Sequence, residues 1–200
     1  IVLLAVGVVL GLFLCYRTGI DLLWIGAIGA MATYFYYKLK FAALGDLTIF
    51  IIYGPLIGLG TAYVMTGQLM WFAVVLNIPV AFLVVNILHA NNTRDIRDDG
   101  KANIKTQAML LGIKGAKIQY VVLSIGAYVG VVLMIIFKMI HPVALLMLLS
   151  LPLAVKNIKK MMTAEVEKPE KIFDLDAQTA QLVLVFSLLF SISNFIAAWL

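Results

Sequence analysis

Charge is the first thing this 200-residue chain lacks: 12% of its residues are Asp, Glu, Lys or Arg, while 64% are hydrophobic. An average soluble domain carries about 25% charged and roughly 45–50% apolar residues. No single core could hide this much apolar surface, so a water-soluble enzyme and a disordered chain are both excluded. The chain has 1 cysteine and 2 histidines. Cys15 cannot close an internal disulfide, and no Cys or His set exists for a zinc or haem site. Other catalytic signatures are missing too: there is no phosphate-cradling P-loop, no H-E-x-x-H and no G-x-S-x-G. What remains is an integral membrane protein.

What is present is a series of apolar runs. A spanning helix needs about 20 mostly apolar residues, fewer where flanking side chains snorkel. Seven segments meet that need: 1–16, 22–37, 47–65, 71–90, 118–137, 142–160 and 178–199. They lack the period-2 alternation of barrel strands, so the expected fold class is all-α, a polytopic transmembrane helical bundle of seven helices. The first residue is Ile, and no basic leader or cleavage site precedes the first run. The expectation is therefore a chain that lacks its true N-terminus.

The connections differ sharply in charge. Of the 15 Lys and Arg residues, Arg17 and Lys138 alone fall on one side of the alternating topology. All the others sit in or beside 38–46, 91–117 and 161–177, which the positive-inside rule assigns to the cytoplasm. The formal charge of +5 then reads as topology plus attraction to anionic lipid heads. With no basic surface interleaved by aromatics, nucleic acid is not a partner.

Polar residues concentrate in NILHANNTRDIRDDGKANIKT, residues 86–106. If the fourth span continues as a helix towards Gly100, about 100° per residue places Asn91, Asn92, Asp95, Asp98 and Asp99 on one face. Arg94, Arg97 and Lys101 form the neighbouring stripe. Mg²⁺ takes carboxylate oxygens and keeps water and substrate phosphate as its other ligands, and a diphosphate needs cationic donors beside the metal. The residues alone leave a second reading open, a solvated juxtamembrane loop laced with salt bridges. His89 reads as a satisfied structural side chain. In YFYYKLKFAALGD, residues 34–46, Tyr36 and Lys40 stand at i,i+4, so a helix would align a phenol with an ammonium. An interfacial aromatic belt with snorkelling lysines is the other reading there. Thr163 to Asp176 reads as a solvated loop with no chemistry.

ILHANNTRDIRDD (87–99), followed by Lys105-Thr106 and the run Ala108 to Gly112, resembles the second aspartate-rich motif of the UbiA-type intramembrane prenyltransferases. The NNTRD core is similar to that of the MenA-like, 1,4-dihydroxy-2-naphthoate branch, and KFAALGDLTIFIIYGPLIGLGTAYVMTG (40–67) resembles another segment of the same branch. Asn103 departs from the pattern, where relatives often carry Gly. The resemblance implies one prenyltransferase domain over 1–200, whose seven spans correspond to the third to ninth of nine helices, without the family's other metal motif. It implies Mg²⁺ held by Asp95, Asp99 and Asn91, with Asn92 and Asp98 in support. It further implies that Arg94, Lys101, Lys105 and Lys40 bind the diphosphate of a polyprenyl donor, with Tyr36 and Arg94 at the reacting centre. The acceptor it implies is 1,4-dihydroxy-2-naphthoate, in menaquinone (vitamin K2) biosynthesis. The setting would be a bacterial inner membrane, with the site on the cytoplasmic side of the lipid bilayer. Another aromatic acceptor within the family is one alternative. A polytopic transporter with a cytoplasmic-face ion site is the rival class, although such sites usually lie near mid-bilayer between inverted repeats.

Overall fold

The seven apolar runs all become helix in the computed structural model, which describes residues 2–102 and 104–200. Asn103, singled out above, lies outside the described residues. Helix α1 (Val2–Thr18) and α2 (Asp21–Phe41) precede a third span built from α3 (Gly45–Ile51), a π-helical turn (Ile52–Leu56) and α4 (Ile57–Thr66). Helix α5 (Trp71–Arg94) is followed by the short α6 (Ile96–Lys101) and the long α7 (Gln107–Ile136). A 3₁₀ stretch (Pro142–Ser150) runs into α8 (Leu151–Met162), and a 3₁₀ turn (Pro169–Ile172) leads to α9 (Leu175–Ala197). Five of the spans are long and apolar enough to cross a membrane. Ala5–Thr18 is a shorter apolar helix, and α2 carries Asp21, Lys38 and Lys40 at its ends.

Small residues decide how the helices meet. Lipid tails are as apolar as leucine, so membrane helices associate through close backbone packing and interhelical hydrogen bonds. Gly54 and Gly58 lie one helical turn apart and face Ala73, Asn77 and Ala81 of α5. A Cβ on Gly54 would stand 3.0 Å from the Ala81 methyl, and one on Gly58 only 2.8 Å from the Ala73 carbonyl oxygen. The π-helical turn sits in this seam because Pro55 has no N–H and cannot continue an α ladder. The Asn77 side-chain amide donates across the seam to the carbonyls of Tyr53 (2.7 Å) and Gly54 (3.0 Å).

Helices α5, α7 and α9 and the 3₁₀ stretch enclose one core, with Leu83, Val131, Met147 and Phe186 fully buried. Two buried hydroxyls are paired within it. Ser150 donates to the Met147 carbonyl, so the Tyr128 hydroxyl donates to Ser150 at 2.7 Å. A second core lies nearer the lysine-rich end and contains Tyr120, Met161, Ile172 and Leu175.

Three expectations are corrected. The fourth span does not run unbroken to Gly100: α5 ends at Arg94, Asp95 turns the chain (φ −92°, ψ 8°), and α6 starts afresh. The fifth span begins well before residue 118, because helix starts at Gln107 and resumes beyond a kink at Gly112. There φ is +64° and ψ 170°, a region used essentially by glycine alone that costs other residues about 1–3 kcal/mol. The Thr163–Asp176 segment is not merely a solvated loop. Ala164, Ile172 and Leu175 are buried in the second core, and its carbonyls and carboxylates reach back to α5, as described next.

Candidate functional site

Three connections converge at the lysine-rich end of the bundle. The turn after α2 is clasped to the segment before α7 by a main-chain bond, Ala43 N–H to the Lys105 carbonyl at 3.1 Å. The segment before α9 is drawn to the end of α5 by Arg94, whose Nη1 donates to the Phe173 carbonyl (2.9 Å) and to Asp176 (3.0 Å). Its Nε and Nη2 hold the two oxygens of Asp95 at 2.8 and 3.2 Å. The Arg94 guanidinium thus has intramolecular partners on every nitrogen and also lies 5.7 Å from the Phe173 ring centroid.

The predicted residues separate into two groups. Asp95 and Asp99 stay together, because the Asp99 N–H bonds the Asp95 carbonyl (2.8 Å) and closes one helical turn. The main-chain clasp joins the connection that follows Lys40 to the segment that follows Asp99. Burial raises the Asp99 pKa above the ordinary carboxylate range; Lys40 opposes that rise, and Asp95 and Asp98 add to it. Lys105 joins this group through the main-chain clasp, its side chain exposed. Tyr36, one turn before Lys40, is partly buried.

Asp98 and Lys101 leave the cluster. They pair with each other at 2.9 Å on the outer side of α6, with Arg97 at 3.5 Å from the same carboxylate. The Lys101 ammonium accordingly lowers the exposed Asp98 carboxyl's pKa. Asn92 turns inward, 2% exposed, and donates to Asp46 Oδ1 at 3.2 Å. Asn91 is half-buried on the last turn of α5, and its carbonyl accepts from the Asp95 N–H (3.0 Å). The helical wheel failed for Asn92 and Asp98 because the turn at Asp95 changes the phase between α5 and α6.

Sequence reasoning missed Asp46 as a centre. This carboxyl group, 3% exposed, pairs with His89 Nδ1 (2.8 Å) and accepts from Asn92 Nδ2 (3.2 Å) and Gln119 Nε2 (3.0 Å). His89 is satisfied on both ring nitrogens, since Nε2 donates to the Ala116 carbonyl at 2.9 Å. The available signal was four polar residues near the ends of three apolar runs, since polar groups at that depth are costly without partners.

A divalent cation can be tested against these donors. Among the described residues no three His, Cys, Asp or Glu side chains converge on one point. Mg²⁺, however, is usually held by one or two carboxylates, with phosphate and water completing its shell. Asp95 and Asp99, one helical turn apart, supply such hard oxygen atoms. The residues fit such an ion. An apolar groove of about 400 Å³ runs between α2 and α3, lined by Leu39 and Leu44 at one end and Ile28 and Ile51 further along. A larger one of about 790 Å³ lies among α1, α2 and α4.

Comparison with known proteins follows the same lines. The profile of the UbiA prenyltransferase family matches residues 1–183. Over 196 residues the chain is 29% identical to the 1,4-dihydroxy-2-naphthoate octaprenyltransferase of Bacillus subtilis, covering 96% of this chain and 62% of that protein. It is 32% identical over 170 residues to the UbiA prenyltransferase domain-containing protein 1 homolog of Drosophila melanogaster, covering 82% of this chain and 45% of the relative. With the Dictyostelium discoideum UbiA prenyltransferase domain-containing protein 1 it shares 35% over 149 residues, or 74% and 43% of the two chains. The chain therefore spans between 43% and 62% of the length of these relatives.

Proposed function

The chain belongs to the UbiA prenyltransferase family, and we propose that the cluster at its lysine-rich end binds the diphosphate of a polyprenyl donor for transfer to an aromatic acceptor. The observation that carries this reading is the clasp of the Ala43 N–H to the Lys105 carbonyl, which joins the connection that follows Lys40 to the one that carries Asp95, Asp99 and Lys105; an apolar groove lined by Leu39 and Leu44 runs between α2 and α3. A prenyl diphosphate has the matching form, an anionic head on an apolar tail.

In this reading Asp95 and Asp99 would hold Mg²⁺, and the ion when bound would supply positive charge beside the diphosphate. Lys40 and Lys105 supply further positive charge to the leaving group. Arg94 keeps Asp95 oriented, and its own fork is occupied by Asp95 and Asp176. The allylic C–O bond breaks to give a carbocation and free diphosphate, and the apolar walls of α2 and α3 keep water away from that cation. An electron-rich ring then forms the new C–C bond. 1,4-Dihydroxy-2-naphthoate is the acceptor we favour, from the motif at 87–99 and the Bacillus relative, and its ring carboxyl would leave as carbon dioxide in menaquinone synthesis. Tyr36 and Lys40 project from the same helical face, on the acceptor's side of the cluster. The excess of Lys and Arg at this end supports a cytoplasmic orientation, and the Bacillus relative supports a bacterial membrane.

Transfer of a radiolabelled prenyl group in detergent, at several Mg²⁺ concentrations, tests the proposal. Asp95→Asn and Asp99→Asn each keep side-chain size but remove the charge that holds the ion. Loss of such preorganised electrostatic stabilisation lowers turnover by about 10²–10³. Near-normal rates for both variants at limiting Mg²⁺ would show the cluster to be structural.

A further inference from the structure

The proposed chemistry leaves unused the buried carboxylate that lies between the helices bearing Lys40 and Asp95. Asp46 is at the start of α3, just after the turn that follows Lys40, and each of its partners comes from another helix. His89 and Asn92 belong to the last turns of α5, and Gln119 to α7 beyond its kink. The Gln119 side-chain carbonyl accepts in turn from Gln107 Nε2 at 3.0 Å, and Gln107 lies before the kink, next to the segment that carries Lys105. One carboxylate therefore ties together α3, the end of α5 and both parts of α7.

The proton count makes the tie directional. The Ala116 carbonyl can only accept, so His89 Nε2 carries a proton, and a second proton is shared between Nδ1 and Asp46 Oδ2. The amide of Asn92 is committed by its nitrogen to Asp46. Its oxygen is then the end left over, and no protein donor reaches it among the described residues. A charged hub is an expensive way to hold helices in hydrocarbon, where apolar packing would do so at lower cost. What it adds is a fixed direction for each partner.

We infer that Asp46 is a positioning residue: through His89, Asn92 and Gln119 it sets the spacing across which Lys40 and Lys105 face Asp95 and Asp99. What is held there, a diphosphate, rests on the function proposed above; the holding does not. Groups that orient a site in this manner typically cost about 10–100-fold in affinity or activity when removed.

The test is a distance measurement joined to a kinetic one. Spin labels are placed at the exposed positions Lys38→Cys and Arg97→Cys in a Cys15→Ser background. The expected result is a narrow distance distribution that shifts or broadens by several ångströms in Asp46→Ala and to a smaller extent in Asp46→Asn. The KM for farnesyl diphosphate should rise about tenfold or more, in the range given for such groups, with a smaller change in kcat. Should Asp46→Ala fail to accumulate as folded protein, Gln119→Leu and Gln107→Leu carry the same test, because each removes one tie and leaves the Asp46–His89 pair intact. An unchanged distribution in folded variants overturns the inference, whatever the activity. A shifted distribution, in a protein whose wild type binds no farnesyl diphosphate, upholds the positioning and overturns the diphosphate reading alone.

Discussion

Replacing Asn77 with Leu should destabilise the bundle even though leucine suits a membrane interior better than asparagine. The side-chain amide of Asn77 serves two carbonyls in the π-helical turn around Pro55, those of Tyr53 at 2.7 Å and Gly54 at 3.0 Å. A buried polar group left unpaired costs about 1–3 kcal/mol, so two lost partners set an upper bound of roughly 6 kcal/mol by the same figure. Two effects reduce it. The Gly54 carbonyl keeps the Ile57 N–H as a donor, so the loss falls mainly on Tyr53. Interhelical hydrogen bonds in membrane proteins are also worth only about 0.6 kcal/mol on average and about 1.7 at most, because separated helices find other partners. The expected penalty is therefore about 1–2 kcal/mol. It should depend on Pro55. In Pro55→Ala the missing N–H returns and the turn can wind as an α-helix, so Asn77→Leu should cost about 1 kcal/mol less in that background, a coupling of the size contacting residues show. Unfolding by sodium dodecyl sulfate, followed by loss of helical circular dichroism in mixed micelles, gives all four corners of the cycle. A penalty of the same size with and without Pro55 would refute the link between the amide and the π-helical turn.

Gly58→Ala should cost about 1–3 kcal/mol as an overpacked contact, because its Cβ would stand 2.8 Å from the Ala73 carbonyl oxygen; Gly7→Ala, with nothing within 4 Å, is the neutral control in the same titration. Asp99 predicts a pH dependence. Its folded-state pKa is raised, chiefly by burial, so its contribution to stability is full below the ordinary carboxylate range and is lost as pH rises through the raised value. Asp99→Asn should therefore gain on the wild type across that window in thermal unfolding, and identical pH slopes would refute the assignment. In a Cys15→Ser background, Lys138→Cys should react with a membrane-impermeant maleimide only from outside intact cells. Labelling only after the cells are opened would reverse the topology.

The apolar runs made the helices legible because a membrane-spanning segment satisfies its backbone internally and shows its length in composition alone. The breaks were harder to see. Gly112 and Asp95 interrupt helical patterns through backbone dihedrals that a hydrophobic profile does not register, and the phase error at Asp95 sent Asn92 and Asp98 to the wrong face. Asp95 and Asp99 survived that error because both belong to the turn beyond the break. Arg94 looked free as a cation because Asp176 and the Phe173 carbonyl lie far from it in sequence and meet it only in the folded chain. Asp46 was read as the end of a loop for the same reason. Each of its partners stands alone near the end of an apolar run, and no local spacing joins them.

The clasp between the Ala43 N–H and the Lys105 carbonyl has a consequence for how such a site can diversify. It is made by main-chain atoms, so it makes no demand on the side chain at 105, while Ala43, buried and with a φ of +59°, keeps its own position for small residues. The gap between the two basic connections is then a property of the backbone. Mutation can rewrite the side chains that border that gap, and with them the preference for head group or acceptor, while its width passes unchanged to the descendants.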